Sequence, residues 1–434
     1  MKAIVTPSPL GGSIRAIASK SVAHRQLICA ALSDTPCEVA CATTSQDIEA
    51  TAACLRALGA GVTRTARGFR VRPVRRGPRD PRWSGAPALL DCGESGSTLR
   101  FILPVACALG GEVRITGHGR LAERPLSPLY EELVAAGADI SEQGHFPLRA
   151  RGPIRPGRFI LPGDVSSQYV SGLLMAAPLL GGRTEIVVTD PFESRSYVNL
   201  TIDALAQFGV DVRVTKTVEK DAEATCLTVE SAGYSSPGGV EVEGDWSNAA
   251  FWLAAGALGN GVSVTGLNLS SSQGDRVIMG ALARLGARVS RSGDTATVSP
   301  DILRGCEINV SDCPDLVPPI AAVAALAHGT TAITGAERLR LKESDRLQTV
   351  SAAINAMGGR VQETNDGLVI DGVESLSGGT VDAANDHRIA MMSAVAATRA
   401  TSPVAIRGAE CVRKSYPAFF EDLAGLGGMV RTEE

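Results

Sequence analysis

LRALGAGV at 55–62 returns as ELVAAGADI (132–140), LAQFGVDV (205–212), LARLGARV (282–289), INAMGGRV (354–361) and LAGLGGMV (423–430). In each copy an amphipathic stretch ends at a glycine, and a short strand-like run follows. The glycines Gly59, Gly137, Gly209, Gly286, Gly358 and Gly427 are separated by 78, 72, 77, 72 and 69 residues. A helix that stops at glycine uses that residue's freedom to turn left-handed and close its last turn. The spacing therefore predicts six helices at matching places in six units.

A second phrase alternates with the first. SKSVAHRQLICAAL (19–32), GESGSTLRFILPVACAL (93–109), DVSSQYVSGLLMAAPLL (164–180), DWSNAAFWLAAGAL (245–258), DCPDLVPPIAAVAALA (312–327) and DHRIAMMSAVAA (386–397) each run from a polar turn into small apolar residues. Helices apolar nearly all round belong inside, whereas partners such as SPLYEELVAAG and DRLQTVSAAINAMG carry a charged outer face. Short β-like segments lie between them: EVRITG, TEIVVTD, VSVTG, TAITG, GLVID and PVAIRG. Each unit reads as strands plus one buried and one exposed helix, an α/β class, and six units make two domains of three. The Gly-, Ser- and Pro-containing SAGYSSPGGVEVEG (231–244) between the third and fourth copies reads as a crossover.

The chain has 434 residues, 44% hydrophobic and 20% charged, with 42 Lys+Arg against 46 Asp+Glu and a net charge of −4. That balance disfavours bulk binding to nucleic acid or a membrane surface, and 4% aromatics disfavours base stacking. Ten cysteines without a C-x-x-C pair suit reduced thiols in the cytoplasm. MKAIVTPSPLGG holds too short an apolar stretch for a signal peptide, so export and membrane spanning are not expected. RTARGFRVRPVRRGPRDPR (64–82) holds eight Arg and one Asp; it reads as a solvated hairpin and loop, with a nucleic-acid contact as the sharper alternative.

Chemistry concentrates at the starts of the buried helices. A helix N-terminus offers unpaired N–H groups and partial positive charge, so Ser, Lys and Arg placed there make an anion site. Ser19, Lys20, Ser21 and Arg25 do so in the first copy, Gly96, Ser97, Thr98 and Arg100 in the second, and Ser166, Ser167 and Gln168 in the third. One Ser-rich start alone is an ordinary cap; three in register, two carrying a cation, point to a ligand. A Walker loop is excluded, because the glycine spacing before Lys20 fails at Ile14 and Ser19. Later copies add Asp315, then RLRLKESDR (338–346), DHR (386–388) and RKSYP (413–417). Clustered Arg and Lys suit a small substrate bearing phosphate and carboxylate, and Asp315, Lys342 and Glu343 are candidates for proton transfer.

SKSVAHR, GESGSTLR, ERP, SSQYVSG, RLKESDRL, DHRIAM and KSYP, in that order and over essentially the whole chain, resemble the 5-enolpyruvylshikimate-3-phosphate synthase family of enolpyruvyl transferases. The resemblance implies an inverse α/β prism, in which each of two domains holds three βαβαββ units with buried parallel helices. It places the N-terminal strand with the second domain, giving one domain from 1–15 plus 239–434, another from 16–238, and crossovers near 14–18 and 231–244. The implied reaction is transfer of the enolpyruvyl group of phosphoenolpyruvate to the 5-hydroxyl of shikimate-3-phosphate. It would proceed by addition and elimination, without metal or organic cofactor, in a cytoplasmic monomer with no nucleic-acid or membrane partner.

Carried over by motif, Lys20, Ser21, Arg25, Ser166, Ser167, Gln168, Ser194, Tyr197, Asp315 and Lys342 would bind shikimate-3-phosphate. Lys20, Gly96, Arg124, Gln168, Arg346, Arg388 and Lys414 would bind phosphoenolpyruvate, with Asp315, Lys342 and Glu343 moving protons. Ala18, Glu94, Ser97, Phe101, Arg195 and Arg338 depart from the commonest family pattern. Of these, Glu94 places an anion beside the site for an anionic substrate. The alternatives are the sister enzyme acting on UDP-N-acetylglucosamine, whose reactive Cys is missing from GHGRLAERP, and a nucleic-acid-binding repeat protein.

Overall fold

The repeat is clearest in the stretch that begins with the strand Ala88–Asp91 and continues through helix Gly96–Leu109, strand Glu112–Thr116, helix Leu129–Ala135 and strands Asp139–Ile140 and Leu148–Arg151. The first two strands pair parallel, with Ala88 opposite Val113, as a helical crossover requires. The last two form an antiparallel hairpin, and its second strand returns beside Glu112–Thr116, giving the spatial order first, second, fourth, third. Alternation in EVRIT buries Val113 and Ile115 and turns Arg114 outward, which fixes the register.

The computed structural model describes residues 1–74, 87–231 and 233–434, and contains this four-stranded sheet six times. The chain divides into two compact units, Met1–Ser19 with Glu243–Glu434, and Lys20–Val242, and each unit holds three of the sheets. Three strands complete sheets remote in sequence. Gly239–Glu241 lies parallel to Cys37–Ala40, Gly12–Arg15 lies parallel to Val262–Thr265, and Lys2–Thr6 inserts between Val404–Arg407 and Met429–Glu433. The units change between Ser19 and Lys20 and between Val242 and Glu243, about four residues later than the sequence boundaries at 15/16 and 238/239. The cause is pairing: Gly239–Glu241 is held by its sheet partner Cys37–Ala40, while Ala18 bridges to Gly244.

The six repeated glycines all have positive φ, between 74° and 113°, and each follows the C-cap of a helix. The apolar helices are inside: all thirteen residues of Trp246–Leu258 are buried, against five of thirteen in the outer helix Arg195–Gln207. In the unit containing Trp246–Leu258, Trp252 stacks on Phe419 at 4.7 Å and donates from Nε1 to the Tyr416 hydroxyl at 3.1 Å. Truncating a side chain so enclosed costs about 3–5 kcal/mol.

Among the described residues no helix is long and apolar enough to cross a membrane. Of the arginine-rich stretch, Gly61–Thr65 and Gly68–Arg72 form a hairpin in which Arg70 pairs with Glu38 on the neighbouring strand, and Arg64 lies over the Phe69 ring. Residues 75–82 lie outside the described residues.

Candidate active site

In the Lys20–Val242 unit three buried helices begin with the predicted anion-site residues. Lys20 opens the helix Lys20–Leu32 and its ammonium is held 2.8 Å from Asp47. Ser19 turns away, its hydroxyl donating to Gln273. Arg25, one turn into the helix, is 2% exposed and nearly saturated by protein acceptors. Its Nε donates to Thr201 at 2.7 Å, Nη1 to the Ser21 carbonyl at 2.6 Å, and Nη2 to Ser171 and to the Tyr197 carbonyl. Burial draws its pKa down to about 10, so it stays charged at neutral pH. So engaged, Arg25 locks Ser21 and Tyr197 into one rigid wall.

Ser166 caps the third helix by accepting from the Gln168 amide, and Ser167 is the first helical residue. Gln168 bridges to the second helix: its Nε2 donates to Ser97 at 2.9 Å and its Oε1 accepts from Arg100 at 3.0 Å. At Gly96 a Cβ would sit 2.6 Å from Arg124 Nη1 and 2.7 Å from Arg100 Nη1, so glycine there lets two guanidinium groups close on the helix start. Ser194, buried beside Tyr197, is held at φ 50°, a left-handed conformation that costs a non-glycine residue about 1–3 kcal/mol and is concentrated at functional sites.

In the other unit the Arg346 guanidinium, 1% exposed, is shared by three carboxylates. Nη1 donates to Asp315 at 2.8 Å, Nη2 to Glu343 at 2.7 Å, and Nε to Asp386 at 2.7 Å. Arg388 donates from Nη2 to Asp315 at 3.1 Å and to Ser247 at 2.8 Å, and Lys342 approaches Asp315 to 3.8 Å. Burial works to raise the Asp315 pKa, but Arg388, Lys342 and Arg346 overcome it and hold this carboxyl well below the usual range. Lys414 donates to the Asn385 carbonyl at 2.6 Å, one residue before Asp386. Three cations and three carboxylates thus stand in one cluster, with Lys414 bound to its backbone.

The structure therefore gathers the predicted residues into two sets. Lys20, Ser21, Arg25, Gly96, Arg124, Ser166, Ser167, Gln168, Ser194 and Tyr197 are in one unit; Asp315, Lys342, Glu343, Arg346, Arg388 and Lys414 are in the other. No group of metal-binding residues occurs among the described residues. A family model described as EPSP synthase (3-phosphoshikimate 1-carboxyvinyltransferase) matches residues 4–423.

The chain belongs to the EPSP synthase family.

A 3-phosphoshikimate 1-carboxyvinyltransferase of Clostridium kluyveri is 41% identical over 434 residues, covering 98% of this chain and 97% of its own. A solved EPSP synthase from Acinetobacter baumannii superposes with TM-score 0.79 at 26% identity, over 99% of this chain and 100% of that one. The enolpyruvyl transferase NikO from Streptomyces tendae shares the fold, with TM-score 0.74 at 18% identity over 99% and 98% of the two chains.

Four of the residues expected to depart from the family pattern have the following surroundings. Glu94 lies over Gly119, where a Cβ would meet its Oε2 at 2.6 Å. Phe101 is buried with the Arg25 guanidinium 4.8 Å above its ring. Arg338 donates to the Ser311 carbonyl at 2.6 Å, and Arg195 stands 5.7 Å from the Phe192 ring. Asp47 and Asp386, the partners of Lys20 and Arg346, escaped sequence reasoning because acids in a first helical turn look like ordinary dipole or cap residues. For Asp386 the adjoining Arg388 of DHR was the available signal. Asp275, buried beside this cluster, carried none.

Proposed function

We propose that this chain transfers the enolpyruvyl group of phosphoenolpyruvate to the 5-hydroxyl of shikimate-3-phosphate, with the residues above in the roles their motifs imply. The observation that carries the assignment is Asp315: a carboxylate held between Arg346 and Arg388, with Lys342 and Glu343 in the same cluster. Membership of the EPSP synthase family, with relatives carrying the carboxyvinyltransferase name over their full length, supports the same reading.

The chemistry follows from the charges. Two phosphates and two carboxylates arrive with the substrates, and dense cationic groups must offset their repulsion. Lys20, Ser166, Ser167 and Ser194 hold the shikimate phosphate, while Ser21, Arg25, Gln168 and Tyr197 shape the ring site. Gly96, Arg124, Arg346, Arg388 and Lys414 receive phosphoenolpyruvate, joined by Lys20 and Gln168.

Before substrate arrives Asp315 is a weak base, because its lone pairs are taken by Arg346 and Arg388. Phosphoenolpyruvate competes for those guanidinium groups, and as they turn to it the proton affinity of Asp315 rises. Asp315 then takes the proton of the 5-hydroxyl as its oxygen attacks C2 of phosphoenolpyruvate. A proton delivered to C3 by the Lys342–Glu343 pair completes the tetrahedral adduct. Elimination returns a C3 proton to that pair and expels phosphate with the former bridging oxygen, which carries off the proton held by Asp315 and leaves the enol ether. Nine of the ten cysteines are buried, and we place the enzyme in the cytoplasm, where such thiols stay reduced.

The test is a coupled phosphate-release assay. Phosphate should appear only with phosphoenolpyruvate and shikimate-3-phosphate together; turnover with UDP-N-acetylglucosamine in place of the latter would overturn the substrate assignment.

A further inference from the structure

The helices Lys20–Leu32, Gln46–Ala57 and Gly96–Leu109 are joined by an unbroken buried chain of polar side chains, of which only Thr98 was named above, as part of the second helix start. His24 Nδ1 lies 2.7 Å from Thr51 Oγ1, Thr51 Oγ1 lies 2.7 Å from Thr98 Oγ1, and Thr98 Oγ1 donates to Ser95 Oγ at 2.8 Å. Ser95 is the N-cap of the helix that Gly96 opens, accepting from the Thr98 amide at 3.2 Å. His24, Thr51 and Thr98 have no exposed surface and Ser95 has 1%.

Donor counting fixes the direction of the chain. The Thr98 hydroxyl has two acceptors, Ser95 Oγ at 2.8 Å and the Asp47 carbonyl at 3.5 Å, and with its proton on either one Thr51 donates to Thr98 and accepts from His24. His24 is therefore the neutral Nδ1–H tautomer. Its Nε2 is buried without a hydrogen-bond partner, and the ring edge meets Phe101, centroid to centroid 6.3 Å. A protonated ring would bury an unmatched N–H donor there; burial itself, then Lys20 and Arg25, hold the His24 pKa well below its ordinary value, in agreement.

We infer that His24 is a positioning residue for phosphoenolpyruvate, acting through Thr51 and Thr98 to fix the Ser95 cap and hence the Gly96 helix start. The inference rests on the assignment of that helix start to phosphoenolpyruvate. Phe101, whose ring meets His24 on one side and the Arg25 guanidinium on another, is a second link between the same two helices.

The experiment compares His24→Phe, which removes the donor; His24→Asn, whose side-chain amide can donate to Thr51; Thr51→Val, which breaks the chain with near-equal volume; and Arg124→Ala as reference. Steady-state kinetics and shikimate-3-phosphate calorimetry are read for each, with 15N chemical shifts of the His24 ring in the parent. His24→Phe and Thr51→Val should each raise the KM for phosphoenolpyruvate about tenfold, the scale of one lost buried hydrogen bond. Both should leave kcat and shikimate-3-phosphate binding near the parent, His24→Asn should restore KM, and the shifts should report a protonated Nδ1.

Equal defects in His24→Phe and His24→Asn, a silent Thr51→Val, or a matching loss of shikimate-3-phosphate binding would overturn the inference and reduce His24 to packing. An unchanged KM in Arg124→Ala would overturn the site assignment and the inference with it. A raised KM there beside a silent His24→Phe would overturn the inference alone.

Discussion

Replacing Asp315 with Asn keeps the size of the side chain and removes one oxygen's basicity and one charge. Two charge-assisted hydrogen bonds, from Arg346 at 2.8 Å and Arg388 at 3.1 Å, become charge–neutral contacts. Breaking a buried ion pair costs about 3–5 kcal/mol; because Arg346 keeps Glu343 and Asp386, the lower end applies, about 3 kcal/mol. For a unit of this size that lowers Tm by roughly 6–12 °C.

The pH dependence has a definite sign. The folded pKa of Asp315 is depressed, so its contribution is present above the unfolded value near 3.9 and is lost only as pH falls through the folded one. The Tm difference between parent and variant should therefore be level above about pH 6, widen toward pH 4–5 as the penalty that Asp315 adds to Asp275 disappears from the parent, and shrink only in stronger acid. Turnover should fall further than stability alone implies: kcat drops by about 10²-fold or more, the scale of general-base catalysis. The KM for phosphoenolpyruvate should not rise, because Arg346 and Arg388 lose a competitor. Differential scanning fluorimetry and phosphate release at saturating substrates measure both effects. Near-parental phosphate release from the folded variant would refute the base assignment, and a raised KM would refute the competition between Asp315 and substrate.

Lys20→Ala should weaken shikimate-3-phosphate binding severely in calorimetry and, because it leaves the buried Asp47 carboxylate without its cation, also lower Tm; parental affinity would remove Lys20 from the anion site. Gly96→Ala should raise the phosphoenolpyruvate KM several-fold at a modest cost in Tm, because the new methyl displaces the buried Arg124 and Arg100 guanidinium groups, side-chain ends that can shift where backbone could not; a parental KM would contradict this. Burial, reinforced by Asp315, raises the Asp275 carboxyl to about 6, so stability falls as pH rises from its unfolded value near 3.9 to about 6 and stays lowered above that. Asp275→Asn should then be more stable than the parent at pH 7.5, by up to about 3 kcal/mol, with the gain vanishing near pH 4; urea unfolding at the two pH values checks it, and an equal loss at both would contradict it.

The helix ends and the buried helices were legible in the sequence because both are local. Gly59 and its five counterparts close turns made by the preceding few residues, and helix Trp246–Leu258 announces its burial in its own composition. The sheet partners were not legible from local pattern. Gly239–Glu241 completes the sheet of Cys37–Ala40 across some two hundred residues, which is why the unit boundary falls at Val242 rather than at 238.

In the site, Lys20, Gln168 and Arg346 stood out as polar groups at the starts of apolar helices. Asp315 could equally have been read as a cap, but the short helix Pro314–Leu316 begins at Cys313 and takes no side-chain cap bond, and the carboxylate faces two arginines instead. Asp386 does both jobs, capping Arg388 and gripping Arg346, and a residue that satisfies a local rule hides its second role.

The most direct measurement follows the bridging oxygen of phosphoenolpyruvate. With 18O between C2 and phosphorus, and shikimate-3-phosphate as acceptor, 31P NMR should find the label in the released phosphate, because carboxyvinyl transfer breaks the C–O bond. Phosphate released without the label, or a second phosphoryl group on the shikimate ring, would mean P–O cleavage and would contradict enolpyruvyl transfer by this chain.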